Sequence, residues 1–151
     1  MQKLSFFLSL FVLFFLSACS TPSLPFVGDK VTKEYFTGGK LRSEFIMSDD
    51  TGQNGLLKKY GYNGKLNSTV QIERGMKHGA ETLFDQKGRV LKKTPYINNK
   101  KEGVLEAYYA NGEIMATIAY RNDVRHGKAV KYNKDGSINQ QVQFINGRLS
   151  N

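Results

Sequence analysis

The stretch YYANGEIMATIAYRNDVRHG, residues 108–127, decides the fold of this 151-residue chain. It places an alternating segment, Ile114 to Tyr120, between two turn-forming pairs, Asn111-Gly112 and Asn122-Asp123. Gly, Asn and Asp tolerate the positive φ angles of tight turns, and alternating β-branched or aromatic residues are typical of a half-buried strand. The stretch therefore predicts a strand that is bounded by turns on both sides.

The same pattern recurs along most of the chain with a period of 24 residues. Glycines in turn-like contexts are spaced by 25, 24, 24 and 24 residues, and a second set is spaced by 24: Gly39, Gly64, Gly88, Gly112 and Gly136, then Gly55, Gly79, Gly103 and Gly127. Large apolar or aromatic residues recur every 12 residues: Tyr60, Ile72, Phe84, Tyr96, Tyr108, Tyr120, Tyr132 and Phe144. A fixed period of this size indicates a repeat architecture in which each 12-residue step supplies one strand and one turn.

The alternation within each strand predicts which residues share a face of the sheet. Leu66, Ser68, Val70 and Ile72 fall on one face, and Asn67, Thr69 and Gln71 fall on the other. The prediction is an all-β fold, a single-layer antiparallel β-meander of about five 24-residue hairpin repeats. We expect about ten strands, beginning near Val31.

Two places depart from the regular repeat. Residues 46–54 carry an insertion, and Met47 or a close neighbour replaces the expected aromatic residue there. Pro95 falls inside a predicted strand, where it cannot donate a ladder hydrogen bond. We expect a bulge or a local break at Pro95.

Units such as residues 108–127 resemble the bacterial MORN-type repeat, in the variant found in the YwqK antitoxin-like family. In that family each unit has Tyr, two residues, Asn-Gly, a strand, an aromatic residue, a loop and then His-Gly or an equivalent. The resemblance spans residues 35–149. It implies a hairpin-repeat fold, and it implies neutralisation of a toxin by direct binding as a function.

The N-terminus predicts export. Residues 4–16, LSFFLSLFVLFFL, form an uncharged apolar run after Lys3, too short for the roughly 20 residues of a membrane span. The run has the length of a signal-peptide core, and Leu16-Ser17-Ala18-Cys19 resembles the bacterial lipobox. That resemblance implies cleavage after residue 18 and attachment of a diacylglycerol to Cys19. The alternative is an ordinary signal peptide with an incidental cysteine.

These features divide the chain into three predicted parts. Residues 1–18 are a lipoprotein signal peptide, residues 19–30 are the lipidated N-terminus with a flexible tether, and residues 31–151 are the β-repeat domain. The predicted location is a cell membrane, with a lipid anchor. Ser20, rather than Asp, follows the cysteine and favours the outer membrane if the cell has two membranes.

The exported part is basic. Without residues 1–18 it keeps 21 basic and 13 acidic residues, a formal side-chain charge of +8. Such a charge suits an anionic surface or an acidic protein, and a simple solvated lysine-rich surface is the alternative. Nucleic acid is not expected as a partner outside a membrane.

No residue pattern in the chain predicts catalysis, a cofactor or a metal site. A GxSxG elbow, a phosphate-binding glycine loop and a second cysteine are all absent from the sequence. His78 and His126 occupy the same repeat position two repeats apart, roughly 19 Å in a sheet of this kind, which is too far for one ion. We expect a non-enzymatic protein.

Two aromatic rows are the candidate partner-binding surface. One row holds Tyr60, Phe84, Tyr108 and Tyr132, and the other, at the opposite strand ends, holds Ile72, Tyr96, Tyr120 and Phe144. Packing between repeats is the alternative role for both rows. Tyrosines suit interfaces because they keep a polar tip, and nine basic residues would add a positive rim: Lys58, Lys59, Lys92, Lys93, Lys100, Lys101, Arg125, Lys128 and Lys131.

Two functions compete at this stage. The first is a membrane-anchored, non-enzymatic protein-binding repeat module of the cell envelope. The second is an antitoxin or immunity protein that neutralises a toxin by direct binding. Binding of lipid headgroups by the basic loops is a third, weaker possibility.

Overall fold

The computed structural model describes residues 30–150. The predicted signal peptide, Cys19 and the tether up to residue 29 lie outside the described residues. The described chain forms twelve strands: β1 Val31–Tyr35, β2 Leu41–Met47, β3 Gly55–Tyr60, β4 Leu66–Glu73, β5 Met76–Phe84, β6 Val90–Ile97, β7 Lys100–Lys101, β8 Gly103–Tyr108, β9 Ile114–Arg121, β10 Val124–Tyr132, β11 Ile138–Ile145 and β12 Arg148–Ser150.

All twelve strands belong to one open antiparallel sheet. The spatial order follows the chain order from β1 to β6, continues with β8 and ends at β12, while β7 pairs with β6. The described residues contain no helix. The all-β single-layer meander is therefore confirmed. The strand count exceeds ten partly because β7 and β8 are two pieces of one repeat strand, interrupted at Glu102.

At one end of the strands, the connections are five-residue turns, and we call this side of the sheet the wide-turn edge. These turns are at residues 36–40, 61–65, 85–89, 109–113 and 133–137. In the second of these turns the Gly61 N–H donates to the Lys65 carbonyl at 2.9 Å, and the Gly64 N–H donates to the Gly61 carbonyl at 2.9 Å. Gly64 has a φ of 78°, which a glycine adopts without steric cost. The first glycine set of the sequence closes this edge.

The opposite edge is built from two-residue turns, at residues 74–75, 98–99, 122–123 and 146–147, and we call it the tight-turn edge. Both residues of each turn have positive φ, as in Asn122 at 48° and Asp123 at 67°, which matches the twist of the flanking strands. Successive turns are joined, since the Gly147 N–H donates to the Arg125 carbonyl at 2.9 Å. The expectation that Gly, Asn and Asp supply these turns holds except at Arg74, with a φ of 51°.

A bulge follows each of the first three tight turns, around Gly79, Gly103 and Gly127, which belong to the second glycine set. Between β9 and β10 the register runs from Arg125↔Tyr120 to Ala129↔Ile118, so β10 carries two extra residues around Gly127. The β4–β5 pair shifts in the same way around Gly79. Gly127 has a φ of 110°, and a Cβ atom there would lie 2.9 Å from the Ala119 Cβ.

Pro95 sits at the same bulge, as expected. Its carbonyl accepts from the Glu102 N–H at 3.1 Å, so the proline nitrogen also faces the β7–β8 strand. The register there changes between Lys93↔Glu106 and Tyr96↔Lys101. At this break the hydrogen bonds between the two strands do not require a backbone N–H donor at residue 95. Because Gln71 and Ala119 occupy equivalent bulges, the break belongs to the repeat and proline is merely compatible with it.

The two faces of the sheet differ in burial, and we name them the Val70 face and the Thr69 face after neighbouring residues of β4. Val70 is 2% exposed and Thr94 is 3% exposed, both on the Val70 face. Ser43, Ser68, Leu105 and Phe144 are also buried on that face, whereas Val130 is the buried residue of the Thr69 face. Each fully buried apolar side chain contributes about 1.5–3 kcal/mol, so the Val70 face carries the core.

The insertion lies where predicted, in the loop at residues 48–54. The Asp49 carboxylate accepts from the Thr51 N–H at 3.0 Å and from the Asn54 side-chain amide. Met47 pairs with Gly55, which also pairs with Ile72 on its other side. Met47 therefore occupies the slot that an aromatic residue fills in later repeats.

Candidate functional site

The two predicted aromatic rows lie at opposite strand ends, as expected, but also on opposite faces of the sheet. Tyr60 contacts Glu44, whose cross-strand partner is Lys58, and strand alternation puts Lys58 on the Thr69 face. Tyr96 pairs with Lys101 and lies two residues from Thr94, on the Val70 face. A single groove lined by both rows is therefore excluded, and each row is its own candidate site.

The tyrosine row, Tyr60, Phe84, Tyr108 and Tyr132, follows the wide-turn edge on the Thr69 face. The Tyr60 hydroxyl donates to the Glu44 carboxylate at 2.7 Å, and the Tyr108 hydroxyl donates to the Glu106 carboxylate. The hydrogen bond to Glu44, together with burial, raises the pKa of Tyr60 to about 12. Burial and then the hydrogen bond to Glu106 raise the pKa of Tyr108 to about 12. These two hydroxyls are already engaged within the sheet.

A cleft of about 370 Å³ opens beside Tyr108, between two wide turns. Its lining includes Arg89, Lys93, Tyr109 and Asn111. The Lys93 ammonium lies 5.7 Å from the centre of the Tyr108 ring, and the Arg89 guanidinium donates to the Ala110 carbonyl at 3.4 Å. The cleft is open and its cationic groups contact the cleft's own walls.

The second row forms what we call the cation–aromatic ladder, at the tight-turn edge of the Val70 face. It consists of three cation and ring pairs, each 24 residues from the next: Lys77 with Tyr96, Lys101 with Tyr120 and Arg125 with Phe144. The cation lies 4.8 Å, 5.2 Å and 4.3 Å from the ring centre in the three pairs. Such contacts contribute about 0.5–1 kcal/mol at exposed sites.

The bulge glycines lie opposite two rings of this ladder. Tyr120 pairs with Gly103, and Phe144 pairs with Gly127. The Lys101 and Arg125 side chains, two residues before these glycines, reach over them to the ring on the next strand. A Cβ atom at Gly103 or Gly127 would meet Pro95 or Ala119 on the Thr69 face, so the second glycine set serves the bulge.

The charge of the ladder changes along the sheet. The Lys77 ammonium forms an ion pair with Glu81 at 2.7 Å. At the positions equivalent to Glu81, the later repeats have Leu105 and Ala129. Among the described residues, no carboxylate forms an ion pair with the Lys101 ammonium or the Arg125 guanidinium, and the nearby Asp123 carboxylate accepts the Lys101 backbone N–H at 2.9 Å instead. The last two rungs therefore have cations without an ion-pair partner.

The nine basic residues expected to form one rim are distributed over both faces. Strand register places Lys59, Lys92, Lys101, Arg125 and Lys131 on the Val70 face. Lys58, Lys93, Lys100 and Lys128 fall on the Thr69 face. The expectation of one continuous rim is therefore wrong, because consecutive strand residues point to opposite faces. Sequence reasoning also missed Lys77, although its spacing of 24 residues from Lys101 was available as a signal.

Residues 78, 102 and 126 occupy the same position in successive repeats, and the side chains at 102 and 126 accept hydrogen bonds from the tight turns. The Asn146 N–H donates to His126 Nδ1 at 3.4 Å, and the Asn122 N–H donates to Glu102 at 2.7 Å. His78 instead lies 3.6 Å from the Glu73 carboxylate. The shared role of Glu102 and His126 gives this position a structural function.

Residues 30–150 contain no group of three or more His, Cys, Asp or Glu side chains placed to hold a metal ion. Over the same residues no helix has the length and apolar character needed to cross a membrane.

Comparison with known families identifies the repeat. The family described as "MORN repeat variant" matches the chain twice, over residues 101–122 and 125–146. These two segments contain the last two rungs of the cation–aromatic ladder, and each begins at its cation. The chain therefore contains MORN-type repeats, consistent with a repeat-type binding module.

Comparisons with whole proteins add little. No curated protein matches the chain. Among solved structures, a protein of unknown function from Bacteroides fragilis NCTC 9343, with a crystal structure at 1.90 Å resolution, is 14% identical. The match covers 80% of this chain and 96% of that chain, with a TM-score of 0.21.

Proposed function

We propose that this protein is a lipid-anchored, non-enzymatic module of the cell envelope whose repeat sheet binds another protein. The observation that carries the proposal is the cation–aromatic ladder, in which Lys101 lies beside the half-buried ring of Tyr120 and the exposed Arg125 covers the buried ring of Phe144. A partly exposed tyrosine such as Tyr120 and cations without an ion-pair partner are the residue types that protein interfaces favour.

Anchoring rests on the segment before the sheet. Cys19 follows the lipobox-like Leu16-Ser17-Ala18, and about eleven residues separate it from β1. Two or three acyl chains would hold the chain firmly on a bilayer, because each buried methylene contributes about 0.8 kcal/mol. The tether would then present the sheet near the membrane surface, at the outer membrane in a cell that has two.

Binding rather than catalysis is supported by how the described carboxylates are used. Asp85 accepts the backbone N–H of Arg89 at 2.9 Å, and Asp135 accepts the Ser137 hydroxyl and backbone N–H. These hydrogen bonds lower the pKa of both carboxyls. Glu44 and Glu106 accept from tyrosines, and Glu81 pairs with Lys77. Such roles stabilise turns and rows, whereas acid–base catalysis needs a carboxyl directed at a substrate.

The test is crosslinking of the lipidated protein in its native cell before lysis, followed by capture and mass spectrometry. The expected result is at least one specific envelope protein in the captured fraction. Cys19→Ser is the matched control, because it leaves the sheet unchanged and should release the protein from the membrane. Failure to capture any protein above a control pull-down would overturn the proposal.

Neutralisation of a toxin is the second candidate. It rests on the YwqK-like resemblance, and the basic surface would complement an acidic toxin and accelerate its encounter. A single dominant secreted or effector-like protein in the captured fraction would favour this candidate, as would a toxin gene beside this one. Binding of anionic lipid headgroups would instead appear as salt-sensitive binding of the Cys19→Ser protein to liposomes.

A further inference from the structure

The Val70 face is unusually one-sided in charge toward the end of the sheet. From β6 to β11 its strand residues include four cations, Lys92, Lys101, Arg125 and Lys131, and no carboxylate. The carboxylates of this described stretch lie elsewhere: Glu106 on the Thr69 face, and Glu102, Glu113, Asp123 and Asp135 in turns or beside them. The face is therefore complementary to an acidic partner.

Apolar side chains separate the cations. Leu105 pairs with Ile118, and Ile118 pairs with Ala129, so this row runs across three strands between the ladder and Lys92 and Lys131. A shallow depression of about 190 Å³ lies over part of the row, lined by residues that include Ile118, Ala129 and Val142. A purely anionic polymer would leave this apolar surface unused. A peptide with both carboxylates and apolar groups would cover it.

The spacing of the cations limits the shape of that peptide. Lys101 and Arg125 stand two strand positions apart, or about 9.5 Å at the usual spacing between strands. In a polyproline II helix, residues three apart lie on one side and are separated by about 9.3 Å. Carboxylates at every third position would therefore meet both cations in turn. Aromatic surfaces such as the exposed part of Tyr120 are a recurrent docking site for this conformation.

We propose that the last two rungs of the cation–aromatic ladder bind an extended acidic peptide segment, in polyproline II conformation, with a carboxylate at every third residue. The inference rests on the proposed protein-binding function and names the chemistry of the partner. The segment lies across the strands, with its carboxylates on Lys101 and Arg125 and its remaining side chains on the half-buried Ile118 and Ala129. The Lys77 rung contributes less, because Glu81 already neutralises it.

The experiment uses the full-length lipidated protein in detergent and a fluorescent peptide of four Glu-Pro-Pro triplets, with binding measured by anisotropy. The expected result is binding that weakens at least about tenfold in Lys101→Gln/Arg125→Gln, since both direct charge contacts are lost. The matched control is Lys58→Gln/Lys128→Gln, which removes the same charge from the Thr69 face and should change affinity less than about twofold. Equal losses in the two double variants would overturn the inference.

A second peptide of the same composition, with its four glutamates adjacent, tests the spacing. It should bind more weakly than the triplet peptide, and equal affinity would overturn the inference. Thermal melts should show both double variants folded at the assay temperature, with Lys101→Gln/Arg125→Gln melting up to about 10 °C lower, because two cation and ring pairs of about 0.5–1 kcal/mol each are lost.

The native-cell capture separates this inference from the proposed function. A partner that is captured equally well by the unsubstituted protein and by Lys101→Gln/Arg125→Gln, with no binding of the triplet peptide, would refute the inference and leave the proposed function standing. Absence of any captured partner would refute the proposed function.

Discussion

The tyrosine row and the cation–aromatic ladder share one 24-residue period, but their aromatic residues make different contacts. In the tyrosine row, Tyr60 and Tyr108 donate their hydroxyls to carboxylates of the sheet itself. In the ladder, the rings lie beneath cations, and the side chains of two of those cations form no ion pair with the described carboxylates. The polar groups of Tyr60 and Tyr108 are thus used within the sheet, whereas the cations of the ladder remain able to bind a partner.

The largest expected effect separates the glycines of the two edges. Gly127→Ala places a Cβ atom 2.9 Å from the Ala119 Cβ at a φ of 110°, whereas Gly112→Ala meets no atom within 4 Å at a φ of 91°. Urea unfolding should show a loss of about 3 kcal/mol in the free energy of unfolding for Gly127→Ala and about 1 kcal/mol for Gly112→Ala. Equal losses would mean that the bulge does not depend on close packing at Gly127.

A smaller effect is expected from the hydroxyls of the tyrosine row. Tyr108→Phe removes the donor to Glu106 and keeps the ring, so the free energy of unfolding should fall by about 1 kcal/mol. Capture of the partner should not change. Tyr132→Phe, for which the structure gives no hydroxyl hydrogen bond, is the matched control and should be close to neutral. Loss of capture in either variant would identify the tyrosine row as the binding surface.

The same hydrogen bonds predict a dependence of stability on alkaline pH. Tyr60 and Tyr108 have pKa values raised from 10.0 to about 12, so the fold favours their neutral forms. Their contribution to stability is complete below pH 10 and is lost as the pH rises from about 10 to about 12. Urea midpoints measured across this interval should fall, and should fall less in Tyr60→Phe.

The titration can also be followed directly. In an ultraviolet absorbance titration of the eight tyrosines, two should ionise near pH 12. Glu44→Gln should move one of them toward lower pH, because the hydrogen bond to the Glu44 carboxylate is the largest cause of the raised pKa of Tyr60. A titration that is identical in Glu44→Gln would contradict the assignment.

Much of the fold followed from the sequence because its causes are local. Residue types such as Gly64 and Asn122 predict the positive φ of a turn, and the alternation of apolar and polar residues around Val70 predicts which residues share a face of the sheet. The insertion before Gly55, the slot of Met47 and the break at Pro95 were predicted for the same reason.

The sequence did not predict that the two aromatic rows lie on opposite faces of the sheet. The rows of Tyr60 and Tyr96 belong to the same 12-residue period, so the period alone does not distinguish them. Only the bulges and the strand register assign each row to a face. The contact between Arg125 and Phe144 joins residues on neighbouring strands across a glycine, so local patterns do not report it. The period of Lys77, Lys101 and Arg125 could have been found, but its meaning depends on that register.

The most direct measurement is site-specific photo-crosslinking in the native cell, with a photoreactive phenylalanine analogue placed in turn at Tyr120 and at Tyr132. The two positions belong to different faces and different edges of the same sheet. Our account predicts a discrete crosslinked partner from Tyr120, beside Lys101, and none from Tyr132. A partner that crosslinks from Tyr132 and not from Tyr120 would contradict the assignment of binding to the cation–aromatic ladder.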